Sequence, residues 1–301
     1  MAVPAGRPDA HNPVVGILWM VAASLCFSAS LTLVKALQDE GVSVFQTVLF
    51  RQIFGLMIFT PLLVRGWPAI VKSDVRPRHF IRAATGFIGM SCTYYSFSLI
   101  NLADSVALQF TLPFFTMLAA VWLLGEKIRR HRVIATAIGF IGVLVIVRPG
   151  FAEINHGIFF ALAGTAFYAI SDTNARYLAR HDRLPAIMLY NFIFMLPLAA
   201  IPSAIWWVTP SPDTWPQILA FVIAGVGAQF CLTKSFGAAE AGLVSPILFL
   251  RLPLVAAIGY IFFAQTTQLL TWVGAGVICA ATLWMTREET RRQDGPADVR
   301  T

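Results

Sequence analysis

Charge is what the sequence has least of. Asp, Glu, Lys and Arg make up 12% of the 301 residues and apolar residues make up 57%, whereas a soluble globular domain carries about 25% charged residues. A chain of this length has no way to hide so much apolar surface from water. The composition therefore excludes an ordinary water-soluble domain and predicts a protein that has the lipid bilayer as its solvent.

Other absences exclude whole classes of function. The chain lacks the H-E-x-x-H and G-x-S-x-G patterns, so no enzyme activity and no cofactor are predicted. It also lacks a P-loop, so transport would not be driven by ATP. The net charge is +7, but the basic residues lie in short loops and no nucleic-acid partner is expected. The four cysteines lie inside apolar runs without metal-ligand spacing, which predicts neither disulfides nor a metal site.

What the chain does contain is a series of apolar runs about 20 residues long, the length that a helix needs to cross a hydrocarbon core of about 30 Å. No segment alternates with the period of a membrane β-strand, so a barrel is not expected. The first run lacks the residue order of a cleaved signal peptide and is expected to be retained. The sequence predicts an all-α integral membrane protein with ten transmembrane helices, at 14–35, 44–64, 80–99, 102–124, 132–148, 157–177, 185–207, 215–236, 242–263 and 269–286.

The distribution of Lys and Arg predicts the orientation in the membrane. Most of these residues fall on one side of the ten-helix topology, including Arg76, Arg78 and Arg82 around the start of the third helix. Basic residues accumulate in cytoplasmic loops. Both polar tails, 1–13 and 287–301, are therefore predicted to be cytoplasmic.

An internal repeat divides the chain. The segment 16–37 aligns with 157–178 at an offset of 141 residues, and 105–115 aligns with 245–255 at an offset of 140. Because each half has an odd number of helices, the second half enters the membrane from the opposite side. Such inverted repeats are typical of secondary transporters with a substrate site near the midplane. We predict two five-helix repeats and a linker, at 14–148, 157–286 and 149–156.

The stretch FSLINLADSVALQFTLPFFTMLAAVWLLGEKIRRHRVIATAIGFIGVLVIVRPG (97–150) resembles the fourth and fifth helices of the EamA branch of the drug/metabolite transporter superfamily. The matching features are a small-residue helix start, Pro113, LLGE and IGFIGVLVIVRPG. GILWMVAASLCFSASLTLVK and LFRQIFG resemble the first two helices of that family. The resemblance implies a ten-helix inner-membrane carrier that moves small metabolites, often outward, by alternating access. The chain departs from the family at Gln265, where the second half usually repeats Gly-Glu.

Arg251 is the most unusual candidate site residue. It lies in the ninth predicted helix near the bilayer midplane, where a charge costs about 2.5–3.5 kcal/mol on insertion scales. Two interpretations stay open: a guanidinium that binds a carboxylate or phosphate of the substrate, or a structural contact that locks two helices. Its counterpart in the first repeat is Thr111, so the charge occurs in one half only.

Three other charges, Lys35, Arg51 and Asp172, are candidates for structural or proton-coupling roles. Lys35 and Asp172 each have an opposite charge four residues later, which is an ordinary pair on a helix face. Arg51 lies near one end of the second helix. A structural role is the simpler interpretation of each; the alternatives are proton exchange at Asp172 and substrate contact at Arg51.

Polar and helix-breaking residues complete the candidate set. Pro113 and Pro253 fall at equivalent places in the two repeats and are predicted to kink their helices, either as pivots of a rocking carrier or as inherited packing. Six polar side chains either line a cavity for a flat or cationic ligand or form interhelical hydrogen bonds: Tyr94, Tyr95, Gln109, Asn174, Asn191 and Gln229.

Together these features predict a secondary transporter of a small polar metabolite, exporting an anionic or zwitterionic amino-acid-like compound by alternating access. The alternative is an importer of a flat nitrogenous metabolite, such as a vitamin or nucleoside derivative. Outside the transporters, a channel and a membrane enzyme are the competing classes. The expected partners are a small-molecule substrate and membrane lipids, and a homodimer is left open.

Overall fold

A computed structural model describes residues 13–65, 73–125, 130–147, 155–239 and 241–293 of the chain. All regular secondary structure in these ranges is helical, which confirms the predicted all-helical class. Short 3-10 helices occur at Pro212–Thr214 and Ser245–Leu250. The α-helices are α1 (Pro13–Asp39), α2 (Val44–Arg65), α3 (Arg76–Leu99), α4 (Leu102–Gln109), α5 (Leu112–Leu124), α6 (Arg130–Val147), α7 (His156–Leu178), α8 (Leu184–Ile205), α9 (Trp215–Ala238), α10 (Ala241–Val244), α11 (Arg251–Phe263) and α12 (Leu269–Gln293).

The helices differ in how well they suit a membrane. Among the described residues, five helical segments are long and apolar enough to cross a bilayer, and the bent pair α4–α5 makes a sixth. Two further apolar segments are shorter, Val44–Thr60 and Val133–Val147. The helices α3 and α7 are less apolar because they carry polar side chains such as Arg82 and Asp172. The fold is that of a membrane protein, and the ten crossings stay a prediction.

The fourth and ninth predicted helices are both interrupted. The axes of α4 and α5 differ in direction by 40°. In the second half, the 3-10 helix Ser245–Leu250 changes to α-helix at Arg251. Pro113 and Pro253 each lie in the first turn of the helix that follows, where backbone N–H groups lack an intrahelical acceptor. The two prolines thus mark the places where both halves change helical geometry.

The helices pair across the two halves of the chain. The most extensive contacts are α3 with α7, α1 with α9, α6 with α12 and α2 with α8. If each helix is replaced by the corresponding helix of the other half, the same four pairs result. Where α6 meets α12, a Cβ on Gly142 would lie 2.7 Å from the Gly274 carbonyl oxygen, and a Cβ on Gly274 would lie 2.6 Å from that of Gly142. Glycine is needed at both positions because the two backbones touch.

A pair of matching hydrogen bonds shows which residues correspond in the two halves. Ser30 Oγ donates to the Phe221 carbonyl at 3.4 Å, and Ser171 Oγ donates to the Arg82 carbonyl at 3.0 Å. Ser171 follows Ser30 by 141 residues, and Phe221 follows Arg82 by 139. One contact therefore occurs twice, and these offsets define the corresponding positions of α1 and α7 and of α3 and α9.

At one end of the bundle, a carboxylate after α7 joins two loops. Asp182 Oδ2 accepts a hydrogen bond from Ser73 Oγ at 2.6 Å and lies 2.7 Å from His79 Nε2. Burial disfavours ionisation of Asp182, but the hydrogen bonds from Ser73 and His79 outweigh it and hold the pKa of this carboxyl below its usual range. We call these three residues the Asp182 clamp and this side of the bundle the Asp182 end.

The opposite end has a similar arrangement after α1, the helix that corresponds to α7. Glu40 accepts a hydrogen bond from Thr214 Oγ1 at 2.6 Å and another from Gln217 Nε2. We call these residues the Glu40 clamp and this side the Glu40 end. Each end of the bundle is thus tied by a carboxylate that follows the first helix of one half and reaches the start of the third helix of the other.

The helices α5 and α11 end in the same left-handed backbone conformation, but with different residues. Gly125 has φ of 68° after α5, whereas Ala264 has φ of 51° after α11; glycine is the residue that adopts this conformation without strain. The next residue, Gln265, accepts a hydrogen bond from the Leu102 backbone N–H at 3.0 Å and so caps α4. The departure from Gly-Glu therefore has a structural role. Glu126, in the first half, lies outside the described residues.

Several predicted segments lie largely outside the described residues. These are the N-terminal tail, the linker and the C-terminal tail, because 1–12, 148–154 and 294–301 are not described. The placement of the two tails on the cytoplasmic side stays a prediction.

Candidate functional site

The two halves differ in the gap between their first and third helices. Within the described chain α1 packs against α3, while the corresponding helices α7 and α9 have no comparable contact. Gln38 closes the α1–α3 gap: its Nε2 donates to the Tyr94 carbonyl at 2.8 Å, and its Oε1 accepts from Ser98 Oγ at 2.7 Å. At the positions corresponding to Gln38 and Ser98, the chain has Ala179, directly after α7, and Gly237, in α9. These residues lack the side chains that would repeat the bonds.

A cavity of about 410 Å³ lies where α7 and α9 separate. Small-molecule sites typically enclose about 300–1,000 Å³, so the cavity has the volume of a metabolite site. Its walls come from α2, α3, α7, α8 and α9, and its apolar lining includes the rings of Phe59 and Phe192. The polar lining residues are Arg51, Gln52, Arg82, Tyr168, Ser171, Asp172, Asn191 and Gln229.

Arg82 and Asp172 bring opposite charges to one wall of the cavity. Arg82 donates through Nη1 to Asn191 Oδ1 at 3.2 Å and to the Ile187 carbonyl at 3.4 Å. Its Nε has no hydrogen-bond partner among the described residues. The Asp172 carboxylate, on α7, likewise forms no hydrogen bond or ion pair of 4 Å or less with another described residue. Both groups therefore keep bonding capacity for a ligand.

A second cation, Arg51, lies on α2. Its Nη1 donates to Tyr94 Oη at 3.0 Å, so Arg51 links the cavity to the closed α1–α3 gap. The next residue, Gln52, is 3% exposed, and its Oε1 has no hydrogen-bond partner among the described residues. An unpaired buried carbonyl oxygen is unfavourable, and a donor group on a ligand would satisfy it.

The cavity is built largely from corresponding positions of the two halves. LFRQIFG in α2 aligns with LYNFIFM in α8 at an offset of 140 residues. Arg51 then corresponds to Asn191 and Gln52 to Phe192, and all four line the cavity. The exception is α7, which contributes Asp172 and its neighbours while the corresponding face of α1 is covered. The site therefore lies between the two halves and is asymmetric only where α7 lines it.

The structure brings four of the predicted site residues into this cavity. These are Arg51, Asp172, Asn191 and Gln229. Tyr94 lies behind the wall, 2% exposed, as the acceptor for Arg51. The other predicted residues are not among those that line the cavity in this conformation.

Arg251 and Gln109 lie together at the interruptions of the fourth and ninth predicted helices. Arg251 Nη2 donates to Gln109 Oε1 at 3.4 Å, and the guanidinium lies 5.8 Å from the centre of the Phe27 ring and 5.7 Å from that of Phe110. Arg251 Nε and Gln109 Nε2 find no partner among the described residues. The pair is a structural contact here, but two of its donors are unused.

Three further predicted residues have other neighbours. Tyr95 is 44% exposed and packs edge-to-face on Phe160. Asn174 is buried and accepts a hydrogen bond from Arg78 Nη1 at 3.3 Å. Lys35 pairs with Asp39 at 2.6 Å, as its spacing suggests.

Sequence reasoning missed four of the polar cavity residues: Arg82, Gln52, Tyr168 and Ser171. The sequence places Arg82 among the loop cations, but α3 begins at Arg76 and carries Arg82 into the bundle. The alignment of LFRQIFG with LYNFIFM would have pointed to Gln52, because its neighbour Arg51 corresponds to Asn191.

Comparisons with known proteins agree with this architecture. A model of the EamA-like transporter family matches the chain twice, over residues 14–148 and 155–287. The chain is 28% identical over 291 residues to a riboflavin transporter of Rhizobium johnstonii, covering 96% of each chain. It is 26% identical over 281 residues to an S-adenosylmethionine uptake transporter of Rickettsia bellii, covering 92% of this chain and 95% of that one.

Two further similarities extend the comparison. The chain is 27% identical over 277 residues to a pseudopaline exporter of Pseudomonas aeruginosa, covering 90% of this chain and 96% of that one. A solved crystal structure with 17% sequence identity has a TM-score of 0.61, covering 95% of this chain and 98% of the other. That structural similarity concerns the fold alone.

Proposed function

The chain belongs to the EamA-like transporter family, and on that premise we propose that it is a secondary transporter that exports an anionic or zwitterionic amino-acid-like compound by alternating access. The family and its named relatives are transporters rather than enzymes, and the chain is a multi-pass membrane protein of a bacterial transporter family. Ten crossings, two inverted repeats and cytoplasmic termini are parts of the proposal. The helix pairs that exchange between the halves and the doubled serine contact support the repeats.

The observation that carries the substrate class is the charge pattern of the cavity. Two guanidinium groups, Arg51 and Arg82, and one carboxylate, Asp172, line a single space. A carboxylate on the ligand would bind the guanidinium of Arg82, because an ionised acceptor forms the stronger kind of hydrogen bond with a guanidinium. An ammonium group on the same ligand would bind Asp172. With Asp172 ionised the lining carries one net positive charge, which suits a zwitterion with an additional anionic group.

The relatives support transport in both directions, since one is named for uptake and another for export. Outward flux is therefore the finer part of the proposal. Comparative metabolite profiling of cells and medium, with and without the gene, tests it. Accumulation of the substrate inside the deletion strain supports export, whereas its depletion inside the deletion strain contradicts export.

The test of the substrate class is uptake into proteoliposomes of a panel that includes amino-acid-like anions, riboflavin and S-adenosylmethionine. We expect Arg82→Gln to reduce transport of the carboxylate-bearing substrate about ten- to a hundredfold, because a hydrogen bond to a charged group contributes about 1.5–3 kcal/mol. The matched control is Lys234→Gln, which removes an exposed cation of α9 that is not among the cavity-lining residues. Unchanged transport in Arg82→Gln would contradict the assignment.

A second candidate function is import of a flat nitrogenous metabolite. It is favoured by the aromatic part of the lining, Phe59, Phe192 and Tyr168, since aromatic faces hold planar and cationic ligands. The similarity to a riboflavin transporter and an S-adenosylmethionine uptake transporter supports it. In the same proteoliposome panel, this candidate predicts transport of a planar compound that survives Arg82→Gln and falls in Phe192→Ala.

A further inference from the structure

We infer that a second set of substrate contacts forms only when the closed gap between α1 and α3 opens. This set consists of Phe27, Ser30 and Leu31 of α1, together with Arg251. The inference rests on the proposed carrier function and concerns the state that is opposite to the one described. It assigns to Arg251 a role in that state.

The helices α1 and α7 occupy corresponding positions in the two halves. Ser30 corresponds to Ser171, and both serines donate to a carbonyl of the facing third helix. The two helices therefore present the same face to their neighbours. Since Ser171 lines the cavity beside Asp172, the face of α1 that contains Ser30 would line it once the halves exchange roles.

The face of α1 that contains Ser30 is covered in the described conformation, and a few polar contacts help to keep it covered. Ser30 is 3% exposed. Toward the Glu40 end of α1, Gln38 bonds to the Tyr94 carbonyl and to Ser98, and these bonds hold α1 on α3. The α7–α9 gap has no such side chains at Ala179 and Gly237. Opening one gap and closing the other would therefore require the Gln38 contacts to break.

The corresponding faces of α1 and α7 differ in their chemistry. Tyr168 and Asp172 of α7 correspond to Phe27 and Leu31 of α1, so the second face has neither the phenol nor the carboxylate. In their place it has Arg251, whose guanidinium lies 5.8 Å from the Phe27 ring and whose Nε has no partner among the described residues. The site thus contains an anionic side chain, Asp172, beside α7 and a cationic side chain, Arg251, beside α1. A ligand carboxylate or phosphate would be held more strongly in the second state, and a ligand ammonium group in the first.

The experiment measures thiol accessibility and needs no known substrate. In a background in which Cys26, Cys92, Cys231 and Cys279 are replaced by Ser, the matched variants Ser30→Cys and Ser171→Cys are labelled with a membrane-impermeant methanethiosulfonate. Labelling is compared in intact cells and in inverted vesicles. We expect the thiol at 171 to react only from the Asp182 end and the thiol at 30 only from the Glu40 end.

A second pair keeps the test sharp if the serine variants fold poorly. Arg251→Cys is expected to behave like Ser30→Cys, and Arg82→Cys like Ser171→Cys. Adding Gln38→Ala with Ser98→Ala should accelerate labelling at 30 and 251 roughly thirtyfold, the shift expected from losing two neutral hydrogen bonds, and should slow it at 171. Labelling of both members of a pair from the same end overturns the inference, as does a thiol at 30 that stays unreactive in the Gln38→Ala, Ser98→Ala variant.

Transport of the compound panel, measured on the same preparations, separates this inference from the proposed function. A wild-type protein that transports none of the panel and fails metabolite profiling contradicts the proposed function. A protein that transports while its thiols at 30 and 251 remain inaccessible overturns the inference alone.

Discussion

The α1–α3 gap and the α7–α9 gap are made by corresponding helices, yet one is closed and the other contains the cavity. The difference lies in two side chains: Gln38 and Ser98 bridge the first gap, and Ala179 and Gly237 leave the second unbridged. We therefore expect these few polar contacts to favour the described conformation, while the helix packing common to both halves stays the same.

The largest expected effect comes from introducing into the α7–α9 gap the two hydrogen bonds that bridge the α1–α3 gap. In the double variant Ala179→Gln, Gly237→Ser, the introduced amide should bond to the Thr233 carbonyl and to the introduced hydroxyl, as Gln38 does on the other side. A Cβ at Gly237 meets nothing within 4 Å, so a serine side chain fits there. Two hydrogen bonds of about 1 kcal/mol each would favour closure about thirtyfold and slow transport correspondingly.

The distance between spin labels on α7 and α9 checks this prediction, with Ala179→Gln and Gly237→Ala as single controls that cannot complete the bridge. If the double variant transports normally and its label distances match those of the wild type, the bridge does not decide which gap is closed.

A smaller effect is expected from the Asp182 clamp, which differs from the Glu40 clamp in using a histidine. Because the folded state lowers the pKa of Asp182, its stabilisation is complete above the unfolded carboxyl pKa of about 3.9. It is lost as the pH falls through the lower, folded value. Asp182→Asn should lower the free energy of unfolding by about 1–2 kcal/mol near pH 7, and the deficit relative to wild type should shrink below about pH 4.

Thermal unfolding in detergent across this pH range measures the deficit. The exposed Asp213→Asn, in the 3-10 helix before α9, is the control. A deficit for Asp182→Asn that stays constant down to the lowest pH at which the protein remains folded would show that ionisation of Asp182 is not what stabilises the clamp.

The smallest effect concerns the ends of α5 and α11. Ala264 adopts the left-handed conformation that Gly125 adopts in the first half. Ala264→Gly should remove backbone strain of about 1 kcal/mol, partly offset by the greater freedom of glycine in the unfolded chain. We expect a slightly higher midpoint of thermal unfolding and unchanged transport; Gly125→Ala should lower the midpoint. A lower midpoint in Ala264→Gly would contradict the strain.

The helices could be predicted from the sequence because long apolar runs and the residues that interrupt them are local signals. Pro113 and Pro253 mark the two interruptions, and charge or polarity inside an apolar run identifies Arg51, Asp172, Asn191 and Gln229 as candidates. The predicted ten segments all contain helix within the described ranges, and their number of membrane crossings stays a prediction.

The arrangement of the site could not be predicted because it depends on contacts between distant helices. The bridge joins Gln38 to residues 56 and 60 positions away, and no pattern along one helix reveals it. Arg82 was misjudged because its distance from the helix start depends on a boundary that moved by four residues, from 80 to Arg76. Arg251 stood out for its charge, but its neighbours, Gln109 and Phe27, are set by packing.

The pairing of helices across the two halves has a consequence for how the protein is made. The strongest partner of each of α1, α2, α3 and α6 lies in the second half of the chain. The ribosome delivers these helices to the membrane well before their partners exist. The first half must therefore remain in the bilayer with its glycine-containing and polar faces unpacked. Packing is complete only after α12 is inserted and Gly274 contacts Gly142.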